Sequence, residues 1–131
     1  MQNEIFKSER YFTIFDTIVS HGQLLLRSQK GGDYDDNIDI IFFSADYIQL
    51  YSMLKGVKIK RLDINSVIDY NSVVKYLSFD NHYLFEIESD KEKYYVAASF
   101  IRVFSNTLDF NETSLGFSNI GRENEIANSF S

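Results

Sequence analysis

Four side-chain oxygens recur at alternate positions in the segment SQKGGDYDDNIDI, residues 28–40: Asp33, Asp35, Asn37 and Asp39. A calcium loop of the EF-hand kind begins this way, because oxygen donors at alternate positions can wrap one cation. The pattern then departs from that loop. Ile38 stands where the sharp turn needs glycine, and Ser44 stands where a bidentate glutamate should close the sphere. No helical patterns flank it on both sides, so no metal is assigned. What remains is an acidic turn. Gly31 and Gly32 bend the chain, and Asp33, Tyr34, Asp35 and Asp36 form a solvated tip suited to a basic partner.

Histidine occurs at His21 and His82 alone. Ser20 beside His21 offers a nucleophile next to a base, but neighbours on a strand point to opposite faces, which keeps such a pair apart. A hydrolase nucleophile on a sharp G-x-S-x-G turn is missing. His82 falls in DNHY, a turn in which polar residues are ordinary. No glycine-rich phosphate loop follows any strand pattern. The chain has no cysteine, which excludes thiolate nucleophiles, disulfides, zinc–cysteine sites and iron–sulfur clusters. No catalytic residue and no cofactor is assigned, and the chain reads as a non-enzyme.

One basic cluster exists, KGVKIKR, with Lys55, Lys58, Lys60 and Arg61. On a strand, Lys58 and Lys60 form a positive stripe that, with Arg61, is the alternative anion-binding site. The structural alternative is a charged edge strand that blocks association. The formal net charge of −6 opposes non-specific nucleic-acid binding and attraction to anionic membranes. Acidity and 9 tyrosines together favour protein recognition, since Tyr gives contact area at low entropy cost. Tyr34, Tyr47, Tyr51, Tyr70, Tyr76, Tyr94 and Tyr95 cannot all be core, so several are expected to reach the surface.

The elements that must position these residues read mainly as strands. Residues 1–15, with Phe6, Tyr11, Phe12, Ile14 and Phe15, fit a short helix or an irregular lead-in that seals one end of the core. Strand patterns follow in TIVSHGQLLLRS and NIDIIFFS. In the latter, Ile38, Ile40 and Phe42 share one face and Asp39, Ile41 and Phe43 the other, so both faces are buried toward its end. YIQLYSML is broken by Gly56, and VKIKRL alternates again. DINSVIDY and VVKYLSF flank a turn at Asn71-Ser72. The plainest hairpin is YLFEIESDKEKYYVAA, turning at Asp90-Lys91-Glu92. In SFIRVFSNTL, Phe100, Ile101, Phe104 and Leu108 stand at helical intervals after a capping Ser99, which predicts a C-terminal helix.

The sum is a mainly β fold: an antiparallel meander of about seven or eight strands, rolled into a sheet or partly open barrel and closed by that helix. Residues 1–108 form the single domain, and 109–131 form a partly flexible C-terminal extension. Strands followed by one helix are similar to the pleckstrin-homology-like layout. RLDINSVIDY, YLFEIES and YYVAAS resemble the later strands of that group, a likeness that carries over no functional residue.

MQNEIFKSERYF lacks the basic start and apolar stretch of a signal peptide, and IDIIFF is too short to span a bilayer. A cytoplasmic protein is the expectation. The leading expectation for function is a protein-binding module, such as an inhibitor or immunity-type protein that masks a basic partner. A ligand-binding or enzymatic β-barrel and a pleckstrin-homology-like lipid or phosphate reader are the alternatives. A homo-oligomer is compatible with all three.

Overall fold

The computed structural model describes residues 3–62, 82–116 and 118–130. Nine strands follow in chain order: β1 (Asn3–Ile18), β2 (Gln23–Ser28), β3 (Asn37–Phe43), β4 (Tyr47–Gln49), β5 (Met53–Arg61), β6 (Tyr83–Ser89), β7 (Glu92–Ala98), β8 (Phe100–Asn106) and β9 (Glu125–Asn128). Among the described residues all strand pairings are antiparallel, in one open sheet of order β4-β7-β6-β5-β1-β2-β3-β8-β9. The mainly β expectation holds. Among the described residues the only helical element is the 3₁₀ turn Val19–His21, and no helix there is long and apolar enough to cross a membrane. The expected turn at Asn71-Ser72 lies outside the described residues.

The sheet is folded over on itself. Phe42 on β3 and Phe85 on β6 are separated in the sheet order by β5, β1 and β2, which in a flat sheet sets them about 19 Å apart. Their ring centroids are 6.3 Å apart, in edge-to-face contact. The interior so formed holds Phe12 from β1, Leu24 and Leu26 from β2, Ile40 and Phe42 from β3, Leu54, Val57 and Ile59 from β5, and Phe85 and Ile87 from β6. Each such side chain, fully buried, contributes roughly 1.5–3 kcal/mol relative to an exposed position.

β1 makes the fold possible, because it pairs with β5 along most of its length and with β2 along its end. It is a strand of 16 residues, not the short helix or irregular lead-in that residues 1–15 suggest. Phe6 and Phe12 pair with Ile59 and Leu54 on the interior side. The misreading has a cause: the alternation of β1 is interrupted by bulges, between Glu4 and Phe6, Ser8 and Tyr11, and Ile14 and Asp16. At the second of these, Glu9 and Arg10 stand opposite Gly56 alone. Gly56 has φ +74°, a left-handed conformation open to glycine at little cost. It therefore lies within β5 at a bulge and does not end the strand.

β8 replaces the expected C-terminal helix. Ile101 and Val103 point into the interior, while Phe104 packs on the outer face with Leu25, Ile41 and Leu115. A strand buried on both faces loses its two-residue alternation, and its apolar positions then mimic helical spacing. The β6–β7 hairpin does form, closing through Asp90 (φ +49°) and Lys91 (φ +68°), the backbone of a two-residue type I′ turn. Residues beyond 108 supply Leu115 to the outer core and β9 to the edge of β8. A bidentate pair fixes that edge: Arg102 donates to Glu125 from Nε and Nη2, each at 2.9 Å.

Candidate functional site

The acidic turn divides into exposed and anchored residues. Gly31 and Tyr34 exchange backbone hydrogen bonds at 2.8 and 3.0 Å, which closes a tight loop and leaves Asp33 and Asp35 exposed. Asp36 turns inward instead. Its Oδ1 accepts from Arg10 Nη1 at 3.0 Å, its carbonyl accepts from Arg10 Nη2 at 2.6 Å, and its Oδ2 accepts from the Ser105 hydroxyl. Arg10, freed from the ladder by its bulge, also donates from Nε to Ser28 Oγ at 2.9 Å. The Tyr34 ring covers the guanidinium, with 3.9 Å from centroid to Cζ. Asp36 and Tyr34 thus hold Arg10 as well as marking the turn.

The Ser105 hydroxyl foremost, and then Arg10, hold the Asp36 carboxyl below its ordinary value against the opposing effect of burial. A depressed folded value means stability that is present above the unfolded carboxylate range and lost as pH falls through the folded value. Acid unfolding of the Asp36→Asn variant is therefore expected to start from a lower plateau at neutral pH and to converge on the unsubstituted protein below about pH 3.9. Urea midpoints measured between neutral and acid pH check this, and curves that stay parallel throughout would contradict it.

Asn37 and Asp39, the other members of the alternating series, point into the fold. Arg27 and Asp39 are register partners across β2 and β3 and form a fully buried pair, Nε to Oδ1 at 2.6 Å and Nη2 to Oδ2 at 2.9 Å. Asp39 Oδ2 also accepts from Ser114 Oγ at 2.6 Å and Asn106 Nδ2 at 2.9 Å. Arg27 Nη1 donates to the Glu112 carbonyl at 2.7 Å, and the Phe15 ring lies 4.0 Å over its Cζ. Asn37 Nδ2 donates to Asn106 Oδ1 at 2.9 Å and to the Leu108 carbonyl at 2.8 Å. The oxygens of Asp33, Asp35, Asn37 and Asp39 do not converge. Among the described residues no group of three or more His, Asp or Glu side chains gathers as a metal site.

The basic stripe occupies an interior strand, since β5 lies between β1 and β6, so it is not an edge guard. Lys58 and Lys60 stand opposite Glu88 and Glu86 in register with β6, and Glu4 stands opposite Lys60 on β1. Lys58 Nζ is 3.9 Å from Glu4 Oε1. Arg61 lies 5.0 Å over the Tyr83 ring and donates to the Ser129 carbonyl at 3.4 Å. Cross-strand carboxylates thus offset the charge of the stripe. His82 Nε2 lies 2.6 Å from Asp46 Oδ2. Ser20 and His21 do meet, Oγ to Nδ1 at 3.2 Å, because they sit in the 3₁₀ turn and not on a strand. Both are exposed, in solvent that weakens the electrostatics such a pair needs for catalysis.

Two grooves meet at Tyr11. The first, about 410 Å³, runs between β1 and β2 and is lined by Glu9, Arg10, Tyr11, Thr13, Arg27 and Tyr34 among others. The second, about 340 Å³, lies on the other side of Tyr11 against Tyr51, Met53, Lys55, Asp90, Glu92 and Tyr94. Exposure reaches 43% for Tyr34, 59% for Tyr11, 62% for Tyr51 and 59% for Met53. Large, largely apolar side chains left this open along one trough are characteristic of interaction sites. Sequence reading missed Tyr11, which it placed against the core. The available signal was Phe12: once β1 is a strand with Phe12 inward, Tyr11 must face out. No family model, curated protein or solved structure matches this chain.

Proposed function

We propose that the protein is a non-enzymatic binding module that recognises a basic protein, in the manner of an acidic inhibitor or immunity-type protein. The observation that carries this reading is the trough itself: four large exposed side chains, Tyr34, Tyr11, Tyr51 and Met53, bordered by Glu9, Asp90 and Glu92. The exposed Asp33 and Asp35 stand beside Tyr34 at one end. Aromatic anchors supply contact area, and the surrounding carboxylates steer a basic partner and select against acidic ones. The net charge of −6 acts in the same direction at longer range.

The test is capture of a basic protein from the native lysate by the immobilised chain, followed by purification of that partner and a direct affinity measurement. Reversing two charges with Asp33→Lys and Asp35→Lys is expected to weaken binding about tenfold at low salt, mainly through slower association, with the difference shrinking as salt rises. An affinity unchanged by the double reversal at low salt would remove the acidic turn from the reading.

A further inference from the structure

The trough has two halves of different composition, and each presents carboxylate beside an exposed aromatic ring. In the first groove the guanidiniums of Arg10 and Arg27 are bonded to Asp36 and Asp39. With those charges balanced inside the protein, Glu9 sets the sign of the groove. In the second, Asp90 and Glu92 outweigh Lys55. Tyr34 already shows what its ring favours: one face lies 3.9 Å from the guanidinium of Arg10, its backbone is tied to Gly31, and 43% of the residue remains open to solvent.

We infer that this trough reads an extended basic segment of a partner protein, with one arginine or lysine seated between Tyr11 and Tyr34 beside Glu9 and a second over Tyr51 against Asp90 and Glu92. The inference rests on the binding-module reading above and assigns the side chains that give it selectivity. A cation on an aromatic face beside a carboxylate gains from both the ring quadrupole and the ion pair. The spacing also suits such a segment. The grooves flank β1, so their centres lie roughly two strand spacings, about 10 Å, apart. Alternate side chains of an extended segment lie about 7 Å apart, and the length of two arginine side chains covers the difference.

The experiment titrates the full chain with a synthetic Gly-Ser peptide containing an Arg-Ser-Arg core, followed by NMR of backbone amides and tyrosine rings. Saturable shifts at Tyr11, Tyr34 and Tyr51 are expected, with affinity falling about fivefold or more for Tyr11→Thr and for Glu9→Gln. Threonine keeps the strand propensity of the position, and an unchanged melting curve for each variant confirms that folding is intact. Citrulline in place of both arginines is expected to abolish the shifts.

Equal binding of the citrulline peptide, absence of saturable shifts at those tyrosines, or spermidine binding as tightly as the peptide would each overturn the inference. The two readings also separate. If the Asp33→Lys and Asp35→Lys pair weakens capture of the basic partner while Tyr11→Thr and Glu9→Gln leave it intact, the binding-module reading stands on the acidic turn alone and the trough assignment fails.

Discussion

Asp39→Ala is expected to lower the unfolding free energy by about 3–5 kcal/mol, the cost of leaving a buried charge without its partner. Arg27 would keep a fully buried guanidinium with two of its donors, Nε and Nη2, deprived of their acceptors. Ser114 and Asn106 lose an acceptor at the same time. The loss is therefore larger than that of one exposed ion pair, which is worth about 0–1 kcal/mol.

Urea denaturation checks the size of the effect, and hydrogen exchange checks its place. Amides of residues 109–116 are expected to exchange faster in the variant, because Glu112 and Ser114 dock through Arg27 and Asp39. The double variant Arg27→Leu with Asp39→Leu removes both charges. It is expected to recover much of the loss, since apolar replacement of a buried pair is often neutral or stabilising. A single variant within about 1 kcal/mol of the unsubstituted protein, the scale of an exposed pair, would show that the pair is not sealed from water.

That pair also explains what was legible in the sequence and what was not. β3 was readable because Ile38, Ile40 and Phe42 alternate with Asp39, Ile41 and Phe43, and the structure buries Ile40 and Phe42 on one face and Asp39 and Ile41 on the other, with Ile38 and Phe43 half-buried. The β6–β7 hairpin was readable from its polar turn. In contrast, Asp39 carries the same letter as Asp33 and Asp35, yet it faces Arg27 across a register that only the assembled sheet creates. Local sequence holds no sign of a partner contributed by another strand. β8 was misread for a related reason: its outer face is covered by Leu115, so apolar residues fall on both sides and imitate a helix. β1 was obscured by its bulges, and with it went the outward direction of Tyr11. Of the turn residues proposed from charge and turn chemistry, Asp33, Tyr34 and Asp35 are exposed and Asp36 is turned inward onto Arg10, while the nearness of Glu9 and Tyr11 to Asp90 and Glu92 needed the strand order that sets β1, β5 and β6 side by side.

The curl itself is open to a direct energetic test through Phe42 and Phe85. Both side chains are fully buried in the interior, and they touch only because the sheet folds over between β6 and β3. Truncating either one, as Phe42→Ala or Phe85→Ala, is expected to cost about 3–5 kcal/mol through lost burial and the cavity left behind. Neither number alone locates the partner ring. The double variant does, because residues in contact deviate from additivity whereas distant ones do not. An edge-to-face aromatic pair couples by about 0.5–1.5 kcal/mol, and the shared cavity couples the two sites further. The double variant is therefore expected to lose less than the sum of the singles by at least that amount. Where two truncations leave too little folded protein, Phe42→Leu and Phe85→Leu give the same cycle with smaller steps. Strict additivity would place the rings apart and make the sheet flat at this point, which would also separate β2 and β3 from β5 and β6 as walls of one interior.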